Sequence, residues 1–390
     1  MRIALVHMRH AQAGGTERYL NQLAGHLAAR GDEVTIVCRS REEAPHPAVR
    51  FALLRPLALG AAWRMSSFAK AVEEHVRGAR YELVYGLGKG WAQDVVRLGG
   101  GLHATYLELA HEATRAGWKR FLPGSDLKHK LALAAEARAL RSPQLVRIVV
   151  NARMVQHDAQ QRYDLPEERF RLVYNGVDLE RFHPRRRAAE GAALRAQLAL
   201  DPRAPVVLFL GSGYGRKGLD RLLEAFAELR RGRPEARLLV VGYDSQQASY
   251  ERRAAELGQA EAVRFLGGRR DAELCFAASD VYVLPTRYDP FANTTLEALA
   301  SGLPVITTRG NGAHELLGEG LQGSLIESPE DAAGMARALA FWLEPATLER
   351  GRLAARALAE RHSAQSKMEQ SAAILDEALA EKRARNPRNP

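Results

Sequence analysis

Cysteine is nearly missing from this chain of 390 residues, which has two, Cys38 and Cys275. They lie far apart in segments that read as buried, so packed, reduced thiols are expected rather than a disulfide framework or a thiolate metal site. Long hydrophobic runs are missing as well. No stretch of eighteen apolar residues occurs, and the opening MRIALVHMRHAQAGG turns polar after one strand's length. Neither a membrane span nor a secretory signal is expected, and the cytoplasm is the expected compartment. Three familiar signatures also fail. GSGYGRKG departs from GxxxxGK[ST], since Gly218 follows Lys217, which disfavours a P-loop ATPase. AQAGGTER is not GxGxxG and no ribose-binding acid is well placed at the second strand, which sets aside an NAD-dependent dehydrogenase. HEATR at 111–115 puts Arg115 where a zinc protease needs its second histidine.

What is present is enough apolar sequence, 46% of residues, for two α/β domains of ordinary size. Lys and Arg exceed Asp and Glu by ten, which favours anionic partners: nucleotides, phosphorylated lipids, a membrane surface or nucleic acid. A basic nucleic-acid binder is the weakest of these readings, because the arginines are dispersed and no nucleic-acid module is recognisable.

The apolar run RIALVHM at 2–8 leads through Gly14-Gly15 to a helix with Tyr19, Leu20, Leu23, Ala24 and Leu27 at helical spacing, ended by Gly31. EVTIVC at 33–38 is a second strand, and this β-loop-α-β order predicts a parallel sheet. YELVYG, RIVVN and FRLVYNGV at 170–177 continue it. Residues 178–204, with Arg185 to Arg187, read as a linker or a surface helical excursion. PVVLFLG at 205–211, the turn GSGYGRKG and the helix LDRLLEAFAEL then repeat the opening pattern. RLLVVG, VRFLGG, DVYVLP and LPVITT extend a second sheet, with helices around 329–361 and a long segment at 363–383.

In an open parallel sheet, ligands bind beyond the carboxyl ends of the strands, where helix N-termini present free amides to anions. The turn carrying Arg216 and Lys217 occupies such a place, with two cations suited to a departing diphosphate, although a solvated helix start has the same composition. DPFANTTLE sets Asp289 and Glu297 with seven residues between them, across a loop and the first turns of a helix. Such a pair arises often by chance. Following a buried strand, the two carboxylates could accept hydrogen bonds from hydroxyls of two sugars while the helix start holds phosphate.

Gly14-Gly15, NGVD at 175–178, GRKG at 215–218, the carboxylate pair and LEALASGLPVITT occur in the order found in retaining glycosyltransferases of the GT-B fold. The chain resembles that family over nearly its whole length, and within it the lipopolysaccharide core enzymes that add glucose to heptose. The resemblance implies an α/β fold of two Rossmann-like domains with parallel sheets facing across a deep cleft. Residues 1–177 would form the acceptor-binding domain and 178–362 the nucleotide-sugar domain. A helix over 363–383 would cross back to the first domain, and 384–390 would be a disordered tail. Arg216 and Lys217 would hold the diphosphate, Asp289 the sugar and Glu297 the ribose. Asn293, Thr294 and Thr295 would lie near the phosphates, Arg264, Phe265 and Leu266 beside the base, and Gly14 and Gly15 against the diphosphate from the first domain. Asp289 stands where the family usually has glutamate, and Ala292 where a glycine is common.

His103, in GGGLHATY, falls in a region where related enzymes place an acidic residue or histidine near the transferred sugar; a lone histidine is otherwise often structural. No Asp-x-Asp occurs, so no cofactor metal is expected and the cations at 216–217 would take its place. The expected co-substrate is a nucleotide sugar, UDP-glucose or a related UDP-sugar, and the acceptor a glycolipid or oligosaccharide. Arg115, Trp118, Lys119, Arg120, Lys128 and Lys130, with Phe121 and Leu122, mix cations and large apolar groups, which suits an anionic membrane surface as well as a solvated helix edge. A nucleotide-sugar epimerase of the same fold is the competing enzyme reading; it would convert its donor without acceptor.

Overall fold

The computed structural model describes all residues except 13, 58–59, 89, 114–124, 319 and 386–390, and for 61–62, 110–113 and 125–128 the backbone alone. Two units divide the chain: Met1–Tyr174 together with the segment from Gln365 onward, and Asn175–Ala364.

The first unit holds a seven-stranded parallel sheet. Its strands are β1 (Arg2–Val6), β2 (Glu33–Cys38), β3 (Arg50–Leu53), β4 (Leu83–Gly86), β5 (Val95–Arg97), β6 (Arg147–Val150) and β7 (Phe170–Leu172), in the order β3-β2-β1-β4-β5-β6-β7. Order reverses between β1 and β4, the point where a doubly wound sheet opens a crevice at its carboxyl edge. Ile3, Ala4 and Leu5 are all buried although they point to alternate faces, because helices cover both sides of the sheet. The Gly15–Ala29 helix packs Tyr19, Leu20, Leu23, Ala24 and Leu27 inward, at the spacing its sequence shows. The Ala364–Arg385 helix supplies Met368, Ile374, Leu375 and Leu379 to the same core.

The second unit repeats the plan with β8 (Val206–Leu210), β9 (Arg237–Val241), β10 (Val263–Phe265), β11 (Val281–Leu284), β12 (Val305–Thr308) and β13 (Gly323–Ile326), ordered β10-β9-β8-β11-β12-β13. Its reversal falls between β8 and β11. The Leu219–Gly232 helix buries Leu219, Leu222, Leu223, Phe226 and Leu229, one stripe at spacings of three and four.

Several sequence expectations shift. β3, β5 and β13 have no counterpart among the expected strands, since three or four residues carry too little periodicity to stand out. FRLVYNGV is strand only through Leu172. Its NGV belongs to the second unit, where the Asn175 amide donates to the Asn293 side chain at 2.6 Å and Val177 pairs with Ser363, so the division falls before Asn175 rather than after Val177. Of the two forms expected for residues 178–204, the helical one is found, with a short helical turn at Pro184–Arg187 and a helix over Glu190–Gln197. Arg187 pairs with Asp280, and Arg195, itself buried, donates to the same carboxylate at 2.8 Å and to the Ala278 carbonyl at 2.7 Å, which ties this segment to the base of β11. The final helix runs on to Arg385, beyond the expected end at 383.

Candidate donor site in the second unit

The turn after β8 and the loop after β11 leave the sheet at its reversal point, so strand order alone carries two distant sequence motifs to one place. Gly211 to Gly213 loop out of β8, and Tyr214–Lys217 form one short helical turn, separate from the longer helix that the sequence reading runs on from it. Gly218 divides them at φ +76°, and a Cβ there would stand 2.1 Å from the Pro285 carbonyl oxygen. Only glycine fits both demands. The turn is held by the buried Tyr214, whose amide donates to Asp244 at 2.6 Å and whose hydroxyl donates to the Gly242 carbonyl at 3.0 Å. From the other side, the Arg287 amide donates to the Arg216 carbonyl at 2.9 Å and the Thr286 hydroxyl to the same oxygen at 3.1 Å.

These bonds bring Arg216, Lys217 and Asp289 together. The Lys217 ammonium is ion-paired with Asp289, and Arg216 reaches the same carboxylate oxygen at 3.4 Å while donating to the Tyr288 carbonyl at 2.7 Å. Lys217 is buried and Arg216 half-exposed. Burial pulls the Lys217 ammonium below the ordinary lysine value, against the opposing pull of Asp289. The result is one buried and one half-exposed cation that share a carboxylate.

Asp289 is fixed by its backbone as well: its amide donates to the Gly310 carbonyl at 2.7 Å and its carbonyl accepts from Gly312 at 2.9 Å. Four residues on, the Asn293–Ala300 helix begins without a side-chain cap, after Ala292. The Thr295 amide already donates to the Ala292 carbonyl at 3.0 Å, so of the three amides expected near phosphate this one is engaged. Thr294 shares a 2.6 Å hydrogen bond with the Tyr282 hydroxyl. Glu297 lies buried on the same helix, one turn in.

Asn311 is absent from the sequence expectations and holds this region together. Fully buried, it donates to Thr295 at 2.8 Å and to Thr307 at 3.0 Å, and its side-chain oxygen accepts from the amides of Ala292 and Ala313, both at 3.1 Å. Its only sequence signal is the GNG context, which reads as an ordinary turn.

Arg264 and Phe265 end β10, and Leu266 follows with its amide donating to Val240 at 2.9 Å; all three lie at the carboxyl edge of the same sheet, beside the Tyr214 turn. The exposed Tyr243 ring covers Gly268, where a Cβ would meet it at 1.9 Å. This aromatic was also not singled out from sequence.

The remaining candidates belong to the first unit. Gly14, at φ +118°, precedes the Gly15–Ala29 helix beyond β1. His103 starts the His103–Ala113 helix. Its amide donates to Glu136 at 2.6 Å, and its Nε2 lies 3.1 Å from Nδ1 of His129, so one ring nitrogen is already engaged. It lines a cavity of about 240 Å³ with Thr16, Gly88, Arg97, Tyr106 and Glu136. Arg115, Trp118, Lys119 and Arg120, with Phe121 and Leu122, lie outside the described residues. Lys128 falls in the Ser125–Leu140 helix, and Lys130 on that helix is exposed. No helix among the described residues is long and apolar enough to cross a membrane. Both cysteines are buried and unpaired, and burial pushes each thiol up to about 11.

Known proteins resemble this chain in both of its halves. Residues 192–358 match the family described as glycosyl transferases group 1, and residues 13–181 match glycosyltransferase family 4. D-inositol 3-phosphate glycosyltransferase of Streptomyces avermitilis is 30% identical over 384 residues, covering 88% of this chain and 79% of that protein. Lipopolysaccharide glucosyltransferase WaaG of Escherichia coli is 26% identical over 330 residues, covering 84% and 86%. The crystal structure of WaaG, described as a glycosyltransferase involved in lipopolysaccharide biosynthesis, superposes with a TM-score of 0.79 at 25% identity, over 96% of this chain and 99% of that one. With both halves matched and the likeness running nearly end to end, the chain belongs to the GT-B glycosyltransferases of the group 1 and family 4 type.

Proposed function

We propose that this glycosyltransferase moves a hexose from a UDP-sugar, UDP-glucose foremost, to a lipopolysaccharide-core or other cell-surface glycan, with retention of anomeric configuration and without a metal ion. The observation that carries the reading is the meeting of Arg216, Lys217 and Asp289 at the reversal point of the second sheet, beside an uncapped helix start. In this reading the diphosphate displaces the Asp289 carboxylate from the two cations, which neutralise the charge that builds on the leaving phosphate. The amides of Asn293 and Thr294 add donors for its oxygens. Asp289, released, accepts from a hydroxyl of the transferred sugar, and Glu297 accepts from the ribose. Retention follows if the acceptor attacks from the face the phosphate leaves, with a phosphate oxygen taking the acceptor proton.

Similarity to WaaG supports the lipopolysaccharide acceptor, and similarity to the inositol phosphate enzyme supports a phosphorylated one. The reading places the protein at the inner face of the cytoplasmic membrane, where lipid-linked acceptors are met.

Thermal unfolding with UDP, GDP, UDP-glucose, UDP-N-acetylglucosamine and GDP-mannose, each in chelator and again in magnesium, tests donor and metal together. A ligand at a hundred times its Kd stabilises the fold by about 2.7 kcal/mol. Stabilisation by a UDP-sugar in chelator, lost in Lys217→Ala and Glu297→Ala, is expected. A requirement for magnesium would overturn the metal-free reading, and indifference to every nucleotide would remove the donor site.

A further inference from the structure

At the carboxyl ends of β1, β2 and β3 the first unit collects four arginines. Arg9 follows β1, Arg39 follows β2, Arg55 follows β3, and Arg64 lies on the Gly60–Gly78 helix. All four line one cavity of about 400 Å³ with Met8 and Ser40. Among the described residues none of the four has a carboxylate oxygen within 4.0 Å. Other arginines of this unit do have carboxylate partners, among them Arg30 with Asp376, Arg147 and Arg171 with Glu377, and Arg162 with Glu108. The Glu42 carboxylate, close by in sequence, accepts from the Gln12 amide at 2.8 Å.

This cluster is built rather than incidental. Arg39 donates to the Pro56 carbonyl at 2.8 Å and its own carbonyl accepts from Arg55 at 3.4 Å, so two guanidinium groups are braced by backbone. The Arg39 amide donates to Met8 at 2.9 Å and Arg9 bridges to Ser40, which ties the two strand ends together. Four like charges around one cavity favour a dianion over a neutral or cationic ligand there.

A second cavity, of about 470 Å³, adjoins the first and shares Met8 and Arg64 with it. Its walls are mainly apolar, from Val6, Met65, Phe68 and Val72, and it extends to His7, Gly88 and His103. The buried Nδ1 of His7 has no hydrogen-bond partner among the described residues. The arginine-lined cavity thus adjoins a mainly apolar chamber that reaches the reversal point of the first sheet.

We infer that Arg9, Arg39, Arg55 and Arg64 form a phosphate-binding subsite, and that it holds the phosphomonoester of a phosphorylated sugar acceptor whose body lies in the adjoining chamber. That the bound molecule is an acceptor rests on the transferase reading, whereas the phosphate site rests on the cavity alone. The concave shape and the link to the strand-end crevice favour a small phosphorylated molecule over a lipid surface. Exposed Trp63 and Leu57, 64% and 99% accessible, stand in the same segment and make a membrane the alternative to be tested.

Titration calorimetry of the full chain, with the donor site saturated by UDP, decides it. The probes are inorganic phosphate, glucose 6-phosphate and glucose, and in parallel vesicles of neutral lipid with and without phosphatidylglycerol. The chain is compared with Arg55→Gln/Arg64→Gln, two exposed positions outside the donor machinery. Phosphate and glucose 6-phosphate are expected to bind, glucose not, with affinity falling at least about ten-fold in the double variant and UDP affinity unchanged. Equal phosphate binding in both proteins, or none in either, overturns the subsite. So does a double variant that loses only its attachment to anionic vesicles. Failure of UDP to bind counts against the donor reading instead, and the phosphate comparison on the unliganded chain still decides the subsite.

Discussion

Lys217 and Asp289 neutralise each other across 72 residues of sequence, and each is expected to fail differently when altered. Removing the ammonium in Lys217→Ala takes a charge-assisted donor from the diphosphate, for a loss of about ten- to a hundred-fold in donor affinity by calorimetry. Asp289→Asn removes the competing carboxylate instead. UDP affinity is then expected to rise or hold while turnover falls, because the sugar hydroxyl exchanges a charged hydrogen-bond acceptor for a neutral one. A parallel fall in UDP affinity would show that Asp289 does not compete with the diphosphate. Burial lowers the pKa of Lys217, so donor binding should weaken on the alkaline side at a pH below that of an ordinary lysine. The sign follows from charge: raising the pH removes the proton that attracts phosphate. Binding measured up to pH 10 in wild type and Lys217→Arg checks it, since arginine stays charged and should flatten the decline.

Among the elements, the loop from Pro285 to Asn293 owes its shape to bonds outside itself, so its weak points are Gly218 and Asn311. Any side chain at 218 must adopt positive φ and also push the Pro285 carbonyl aside. Gly218→Ala should cost about 2 kcal/mol or more and detach the turn bearing Arg216 and Lys217. Asn311→Ala strands several buried groups, among them the Ala292 and Ala313 amides and the Thr295 hydroxyl, each worth about 1–3 kcal/mol when left unsatisfied. Chemical denaturation with donor binding on the same samples tests both. Stability within 0.5 kcal/mol of wild type, on the order of a neutral surface change, would refute the role given to either residue.

For the molecule as a whole, the terminal helix from Ala364 to Arg385 is part of the first unit's core. Met368, Ile374, Leu375 and Leu379 are each worth about 1.5–3 kcal/mol when buried, so the four supply about 6–12 kcal/mol, comparable to the whole stability of a domain. A chain ending at Ala364 should therefore lose the first unit's protection in limited proteolysis and keep that of Asn175–Ala364. The same helix is pinned by Glu377, which Arg171 and Arg147 hold at about 2, below the usual 4.5. A depressed carboxyl stabilises the fold above its unfolded value, and that contribution drains away as the pH falls from 4.5 toward 2. The stability gap between wild type and Glu377→Gln should thus be present at pH 6 and close near pH 2, by urea unfolding at each pH. A gap that stays constant would mean that packing, not charge, is what the substitution removes.

Local pattern, from the sequence by itself, determined the two repeated β-turn-α-β units, the inward faces of the Gly15–Ala29 and Leu219–Gly232 helices, and the buried, unpaired state of both cysteines. Periodicity and apolar runs report burial, and burial is decided mostly by neighbours within a turn or two. Short strands such as β5 escape that signal because they are recruited by the strands beside them. What only the tertiary structure decided is which distant side chains share a site. The junction of Lys217 with Asp289, the bracing by Asn311, the anchoring of Arg195 on Asp280 and the gathering of Arg9, Arg39, Arg55 and Arg64 all depend on strand order. In a doubly wound sheet that order is a long-range choice. Charges with no pattern along the chain become neighbours there because their strands end at the same edge.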